Sequence, residues 1–332
     1  MPTTYRALRC ERLSDDLSGL ALVDLPVEPP GPGRVAVSLR AAALNFPDLL
    51  MTRGGYQLKP ELPFVPGMEG AGVIEAVGPG VADRQVGDAV CFSNYVGALA
   101  ERAVLPADVL RPVPAGWDWA SAAGWQVGAL TAYVSLVTRG ALKAGETLLV
   151  HGATGGMGAA AVRLGAHLGA TVIATGTDPD RLEQLRPHGA SHLLSSRGDF
   201  QEQVKALTGG RGADVVFDPV GGDVFDRSTK CIAFAGRLLV VGFAAGRIPT
   251  LAANHVLIKG YSVVGVRAGE YCRQRPQEAP AIRDAIDRLA AEGVFRPLVG
   301  ARLPWPRAID ALHALARREA PGKIVVEFGT AG

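Results

Sequence analysis

The sequence lacks the features that would tie it to a membrane, a nucleic acid or an oxidising compartment. No apolar run approaches the roughly 20 residues that cross a bilayer. Lys and Arg number 34 against 32 Asp and Glu, a net charge of +2, and they form no basic block. Neither nucleic acid nor a membrane surface is therefore indicated as a partner. The 4 cysteines, Cys10, Cys91, Cys231 and Cys272, lie far apart with no CxxC pair, which argues against a disulfide frame or a zinc knuckle. Residues 1–12 carry Arg6, Arg9, Glu11 and Arg12 and no apolar signal core, so a soluble cytoplasmic protein is expected. All 6 histidines stand at His151 or later, leaving the first part of the chain without imidazole.

Glycine, in contrast, is abundant, with 42 residues, and there are 23 prolines. No short period runs through them, so collagen and low-complexity classes are excluded. In the first third, short apolar runs such as 35–39 and 72–77 alternate with Pro29-Pro30-Gly31-Pro32-Gly33 and Val77-Gly78-Pro79-Gly80. That spacing predicts a β-rich, barrel-like domain. From about residue 117 the texture changes to Ala-rich helix-compatible sequence. Apolar strands at 147–151, 171–175, 192–195, 214–217, 238–241 and 261–266 then alternate with helices. This is the pattern of a parallel sheet covered on both faces. Two amphipathic helices, near 279–291 and 307–318, and a last strand at 323–328 are expected to return to the first domain. The expected division is 1–125 with 267–332, and 126–266.

The clearest motif lies at the first of these strands. Leu148-Leu149-Val150-His151 runs into Gly152-Ala153-Thr154-Gly155-Gly156-Met157-Gly158 and then a helix. Ala153-x-Gly155-x-x-Gly158 is a variant of the dinucleotide fingerprint. Its glycines allow a tight turn and close approach of backbone to a pyrophosphate at a helix N-terminus. An NAD site usually carries an acid at the end of the second strand. Here that strand ends Ala174-Thr175-Gly176-Thr177. Asp178-Pro179 reads as an N-cap followed by proline at the first helical position. Thr177 and Arg181 are then left for a 2′-phosphate, which favours NADPH over NADH.

These segments, with Ala43-Leu44-Asn45-Phe46-Pro47-Asp48, Arg53-Gly54-Gly55-Tyr56, Pro66-Gly67-Met68-Glu69-Gly70, Val86-Gly87-Asp88, Leu130-Thr131-Ala132-Tyr133 and Asp218-Pro219-Val220-Gly221-Gly222, carry a family resemblance over nearly the whole chain. The chain resembles the zinc-independent, zeta-crystallin-like quinone oxidoreductases of the medium-chain dehydrogenase/reductase superfamily. The resemblance implies an α/β protein with a GroES-like β-rich catalytic domain, a Rossmann doubly wound domain and a cleft between them. It implies that Asn45 bonds the nicotinamide ribose and that Thr131 neighbours the carboxamide. Gly242 and Phe243 are expected to touch the nicotinamide, and Lys323 to enter its strand near the cofactor. Two departures stand out. Ser195-Ser196-Arg197 replaces a tyrosine that many relatives place near the adenosine phosphate, and Leu50 replaces a second tyrosine found in some.

The zinc branch of the superfamily would place a Cys near Asn45 and a His at Met68. Neither ligand is present, so no metal is expected, and Asp48 and Glu69 read as carboxylates that bond local backbone or brace turns. Hydride transfer asks the protein for positioning and electrostatics, since the cofactor carries the reaction. A quinone or another conjugated carbonyl would gather negative charge on oxygen, which a nearby donor stabilises. Tyr56 is the candidate donor, and an aromatic wall with its hydroxyl in water is the alternative. An enone or enoyl-thioester reductase, or a crystallin-like protein that holds the cofactor without turnover, are the competing functions. The apolar segment 261–266, at the end of the alternating run, reads as a sheet edge that pairs two copies into a homodimer.

Overall fold

The computed structural model describes residues 3–329. Its strands are, in chain order, Thr4–Cys10 (β1), Leu20–Pro26 (β2), Arg34–Ala43 (β3), Glu69–Val77 (β4), Ala89–Ser93 (β5), Arg102–Pro106 (β6), Leu110–Pro112 (β7), Thr147–Val150 (β8), Thr171–Gly176 (β9), His192–Ser195 (β10), Ala213–Asp218 (β11), Ile232–Val240 (β12), Ser262–Gly265 (β13), Val299–Pro304 (β14) and Lys323–Glu327 (β15). They belong to two compact units, Met1–Val127 with Pro297–Gly332, and Gly128–Arg296.

The first unit is β-rich. β1 and β2 form an antiparallel hairpin, and a second sheet runs β14-β15-β3-β4-β5-β7, with β6 also on β3. The long strand β3 is buried along most of its length, because it pairs with β15, β4 and β6 and is covered on its faces. Val35, Val37, Leu39, Ile74, Phe92 and Leu105 pack into one apolar core that also takes in Trp305 and Leu312 from the C-terminal segment. The return of β15 to β3 is therefore built into the core of this unit.

The second unit is a parallel sheet in the order β10-β9-β8-β11-β12-β13. All four residues of β8 are buried, as a strand flanked by helices on both faces requires. The chain leaves β8 toward β9 and β10, then restarts on the other side at β11. That reversal makes the C-terminal ends of β8 and β11 the switch point where doubly wound sheets bind ligands. The first unit is thus the β-rich domain, and the second the doubly wound parallel sheet, that the sequence led one to expect.

The tail divides later than the sequence suggested. Residues 267–296 group with the parallel sheet, and only the chain from Pro297 returns to the first unit. The reason is local: helix Ala268–Gln274 packs on the widened helical turn Val134–Arg139, itself in the second unit. Among the described residues no helix is long and apolar enough to cross a membrane.

Candidate cofactor site and buried charge cluster

The glycine-rich loop leaves β8 with His151 and turns sharply at Gly152, which has φ +56°. Ala153 is buried and donates its N–H to the Thr175 carbonyl at 3.0 Å, tying the loop to the end of β9. Thr154 is half-buried, and Gly155 is exposed and caps helix Gly156–His167. Gly156, Met157 and Gly158 form its first turn, where backbone N–H groups have no intrahelical acceptor and the positive end of the helix dipole lies. A Cβ on Gly158 would sit 2.3 Å from the Gly152 carbonyl oxygen, so only glycine lets the helix start this close to the turn. A Cβ on Gly152 would lie 3.3 Å from Val220 Cγ2, which puts the loops after β8 and β11 side by side at the switch point. Thr131 is half-buried on helix Gln126–Tyr133, whose Gly128 packs against the Gly156 backbone. These groups can receive a pyrophosphate without further charge.

Thr177 is exposed just past β9. Asp178 caps the next short helix, accepting from the N–H of Asp180 at 3.0 Å and of Arg181 at 3.2 Å. The same carboxylate holds the Arg181 side chain, with Nε 3.0 Å from Oδ2. Arg181 is thus ion-paired, where the sequence suggested an open guanidinium. Gly242 is half-buried and Phe243 is 38% exposed past β12. Both follow from Asp218, whose carbonyl accepts from Val241 and whose Oδ1 accepts from Val220 and Gly221. Ser196 and Arg197, which stand in place of the family tyrosine, lie on a loop held by Arg227. Its guanidinium donates to the carbonyls of Ser196 and Gly198 and lies 4.6 Å from the Phe200 ring centre.

Beneath the loop is a network that no sequence signal marked. His151 is fully buried, with Nδ1 2.7 Å from Thr175 Oγ1 and Nε2 2.7 Å from Ser228 Oγ. Ser228 donates its proton to the Val224 carbonyl, so its oxygen must accept from Nε2–H. Nδ1 is then the bare nitrogen and accepts from Thr175. Burial pushes the imidazole down to about 3, with Arg227 adding to the shift, so it stays neutral and cross-links β8, β9 and helix Gly222–Ser228.

In the first unit, strand register gathers a second cluster. Ala43 pairs with Val325 on one side and with Glu69 on the other. This brings Lys323 and Glu69, at the starts of β15 and β4, together with Asn45, which caps the helix just past β3. Lys323 Nζ donates to Asn45 Oδ1 and Glu69 Oε2, each at 2.7 Å. Asn45 Nδ2 donates to Glu69 Oε2 at 2.8 Å, and Glu69 Oε1 accepts from the Val127 N–H at 2.7 Å. Asp48 accepts from the Asn45 N–H at 2.8 Å and is wholly buried. Desolvation pushes its carboxyl up to about 7, against the pull of the Asn45 N–H and Lys323. Glu69 is therefore one half of a buried ion pair and bonds the distant Val127 backbone, where the sequence suggested a bond to local backbone or a brace for a turn. Tyr56 is half-buried and packs on the apolar core of this unit. Among the described residues no group of three or more His, Cys, Asp or Glu converges as a metal site.

Fold and site together define a two-domain oxidoreductase of the dinucleotide-binding kind. The alcohol dehydrogenase GroES-like domain matches residues 31–146, and the zinc-binding dehydrogenase domain matches residues 156–288. The chain belongs to the quinone oxidoreductase-like family of the medium-chain dehydrogenase/reductase superfamily. It is 33% identical to the quinone oxidoreductase-like protein 2 homolog of Nematostella vectensis, over 97% of this chain and 89% of that one. The solved quinone oxidoreductase of Thermus thermophilus, also determined in complex with NADPH, is 32% identical with a TM-score of 0.83, covering 97% of this chain and 99% of that one. The phthioceranic/hydroxyphthioceranic acid synthase of Mycobacterium tuberculosis is 32% identical over 323 residues, 97% of this chain and 15% of that protein.

Proposed function

We propose that this chain is a cytoplasmic, zinc-independent reductase that uses NADPH to reduce a quinone or another small conjugated carbonyl compound. The observation that carries the reading is the Gly152–Gly158 turn at the switch point, followed by a second strand that ends at Gly176 with Thr177, not an acid, just past it. The names of the relatives and the NADPH complex of the Thermus enzyme support the same reading.

Bound at this loop, the cofactor supplies a hydride from its nicotinamide. The chain's own residues do the rest. N–H groups of the first turn at Gly156, Met157 and Gly158 neutralise the pyrophosphate. Thr177 and Arg181 meet the 2′-phosphate. The Arg181–Asp178 pair is partly exposed and weak, so Arg181 can exchange its partner at little cost. Thr131 bonds the carboxamide, Gly242 and Phe243 border the ring, and Asn45 with Lys323 bonds the ribose hydroxyls. Tyr56 donates to the acceptor oxygen as negative charge develops there. With Asn45 and Met68 in the zinc-ligand places, electrostatic help falls to such a donor.

The working form is a homodimer. Among the described residues β13 pairs only with β12, and it is exposed along most of its length. Phe234 on β12 and Leu257 and Ile258 on the helix that leads into β13 are 83%, 82% and 77% exposed, apolar side chains that a second copy of the same edge would cover.

A second reading, reduction of an enoyl thioester, is favoured by the match to part of an acid synthase. Turnover of NADPH with a quinone panel and, in parallel, with 2-enoyl thioesters separates the two. The proposal expects quinones to be the better acceptors and Tyr56→Phe to lower their turnover while leaving NADPH affinity unchanged. Thioesters that outcompete every quinone would overturn the assignment of the acceptor.

A further inference from the structure

Glu69 has no open surface, while Asn45 keeps 8% and Lys323 keeps 5% of theirs. Asn45 and Lys323 are thus the members of the cluster that keep open surface, and Glu69 acts only through them. The cluster also fixes the Asn45 amide without ambiguity. Lys323 can only donate, so it faces Oδ1; ionised Glu69 can only accept, so it faces Nδ2. Two of the three Lys323 ammonium protons are engaged, on Asn45 and Glu69, and one remains. Asn45 Oδ1 accepts from Lys323 and stands as the acceptor of the capping box at the start of helix Phe46–Thr52. The pair thus sets the remaining Lys323 proton beside the Asn45 amide oxygen. Gly124 leaves space for the lysine stem, since a Cβ there would lie 3.3 Å from Lys323 Cε. Vicinal sugar hydroxyls, each able to donate and accept, match such a pair.

We propose that Glu69 is a positioning residue for cofactor binding: it turns the Asn45 amide and holds Lys323 so that together they grip the vicinal hydroxyls of the nicotinamide ribose. This rests on the proposed assignment of Asn45 and Lys323 to that ribose. Replacing Glu69 with glutamine conserves shape but not pattern. Three donors, from Lys323, Asn45 and Val127, converge on the two carboxylate oxygens. Whichever way a glutamine amide turns, its NH2 opposes at least one of them, and the charge that neutralises Lys323 is gone.

The test compares two ligands by calorimetry: NADPH, and 2′-phosphoadenosine 5′-diphosphate, which lacks nicotinamide and its ribose. Glu69→Gln is expected to weaken NADPH about tenfold, the equivalent of one charge-assisted hydrogen bond, and to leave the fragment unchanged. Asn45→Ala is expected to do the same, and the double variant to add little beyond either single one, because both act on one contact. Glu69→Asp keeps the charge and withdraws it by one methylene, so a smaller loss confined to NADPH is expected, and it stands in if the glutamine variant does not fold. Equal losses for NADPH and fragment, or a loss in Asn45→Ala with none in the Glu69 variants, overturn the positioning role. Unchanged NADPH binding in Asn45→Ala overturns the ribose assignment, and the proposal falls with it.

Discussion

Lys323 Nζ lies 2.7 Å from Glu69 Oε2, with both side chains withdrawn from water. Two charges so placed are tolerated because each answers the other and both Glu69 oxygens accept from further donors. Removing one leaves the other stranded. Lys323→Met is expected to destabilise the protein by about 3–5 kcal/mol in urea unfolding, whereas adding Glu69→Gln to it recovers part of the loss. A double variant less stable than Lys323→Met would show that the pair's charges do not govern this site.

His151 carries a pH dependence of defined sign. Its imidazole is pushed down to about 3 from an ordinary 6.5 by burial. The unfolded chain takes up a proton as pH falls below 6.5 and the folded chain does not. Stability from this group is therefore complete above that pH and is lost as pH falls toward about 3. Thermal unfolding across this range is expected to show the slope in the parent protein and a shallower one in His151→Gln.

Asp48 acts in the opposite direction. Its carboxyl, ordinarily at 3.8, is raised to about 7 by desolvation. The folded state binds this proton more tightly than the unfolded one. The contribution is complete below 3.8 and is lost as pH rises through about 7. Asp48→Asn, neutral at every pH, is expected to lose stability less than the parent between these limits. Parallel pH profiles for the two proteins would contradict a protonated Asp48.

The exposed edge makes a prediction about assembly. Leu257→Glu places a charge on the helix that leads into β13 and is expected to convert a dimer to a monomer in light scattering after size exclusion. A parent protein that is already monomeric at micromolar concentration would contradict the dimer.

Much of this was legible in the sequence, and the reason is locality. The glycine loop, its strand and its helix occupy contiguous residues, and the alternation of buried strands with helices announces the parallel sheet. Asp178-Pro179 likewise reads as a cap because cap chemistry is a matter of adjacent residues, and Asp178 does cap its helix. The buried networks were not legible. Glu69 is 24 residues from Asn45 and 254 from Lys323, and only strand register brings the three together. His151, Thr175 and Ser228 are polar residues with no motif, joined by the ends of two strands and a helix. The ion pair of Arg181 with Asp178 lies in between: the spacing was visible, but the side-chain choice between capping acid and open site was not.

The most direct test of the proposed chemistry is a single turnover. Protein stripped of metal by exhaustive chelation is loaded with one equivalent of NADPH per chain and mixed anaerobically with a quinone in a stopped-flow instrument. Oxidation of the bound NADPH with matching formation of the hydroquinone is the expected result, and the same protein loaded with NADH is expected to react more slowly or bind more weakly. No reaction until zinc is restored, or faster reaction with NADH at equal occupancy, would contradict it.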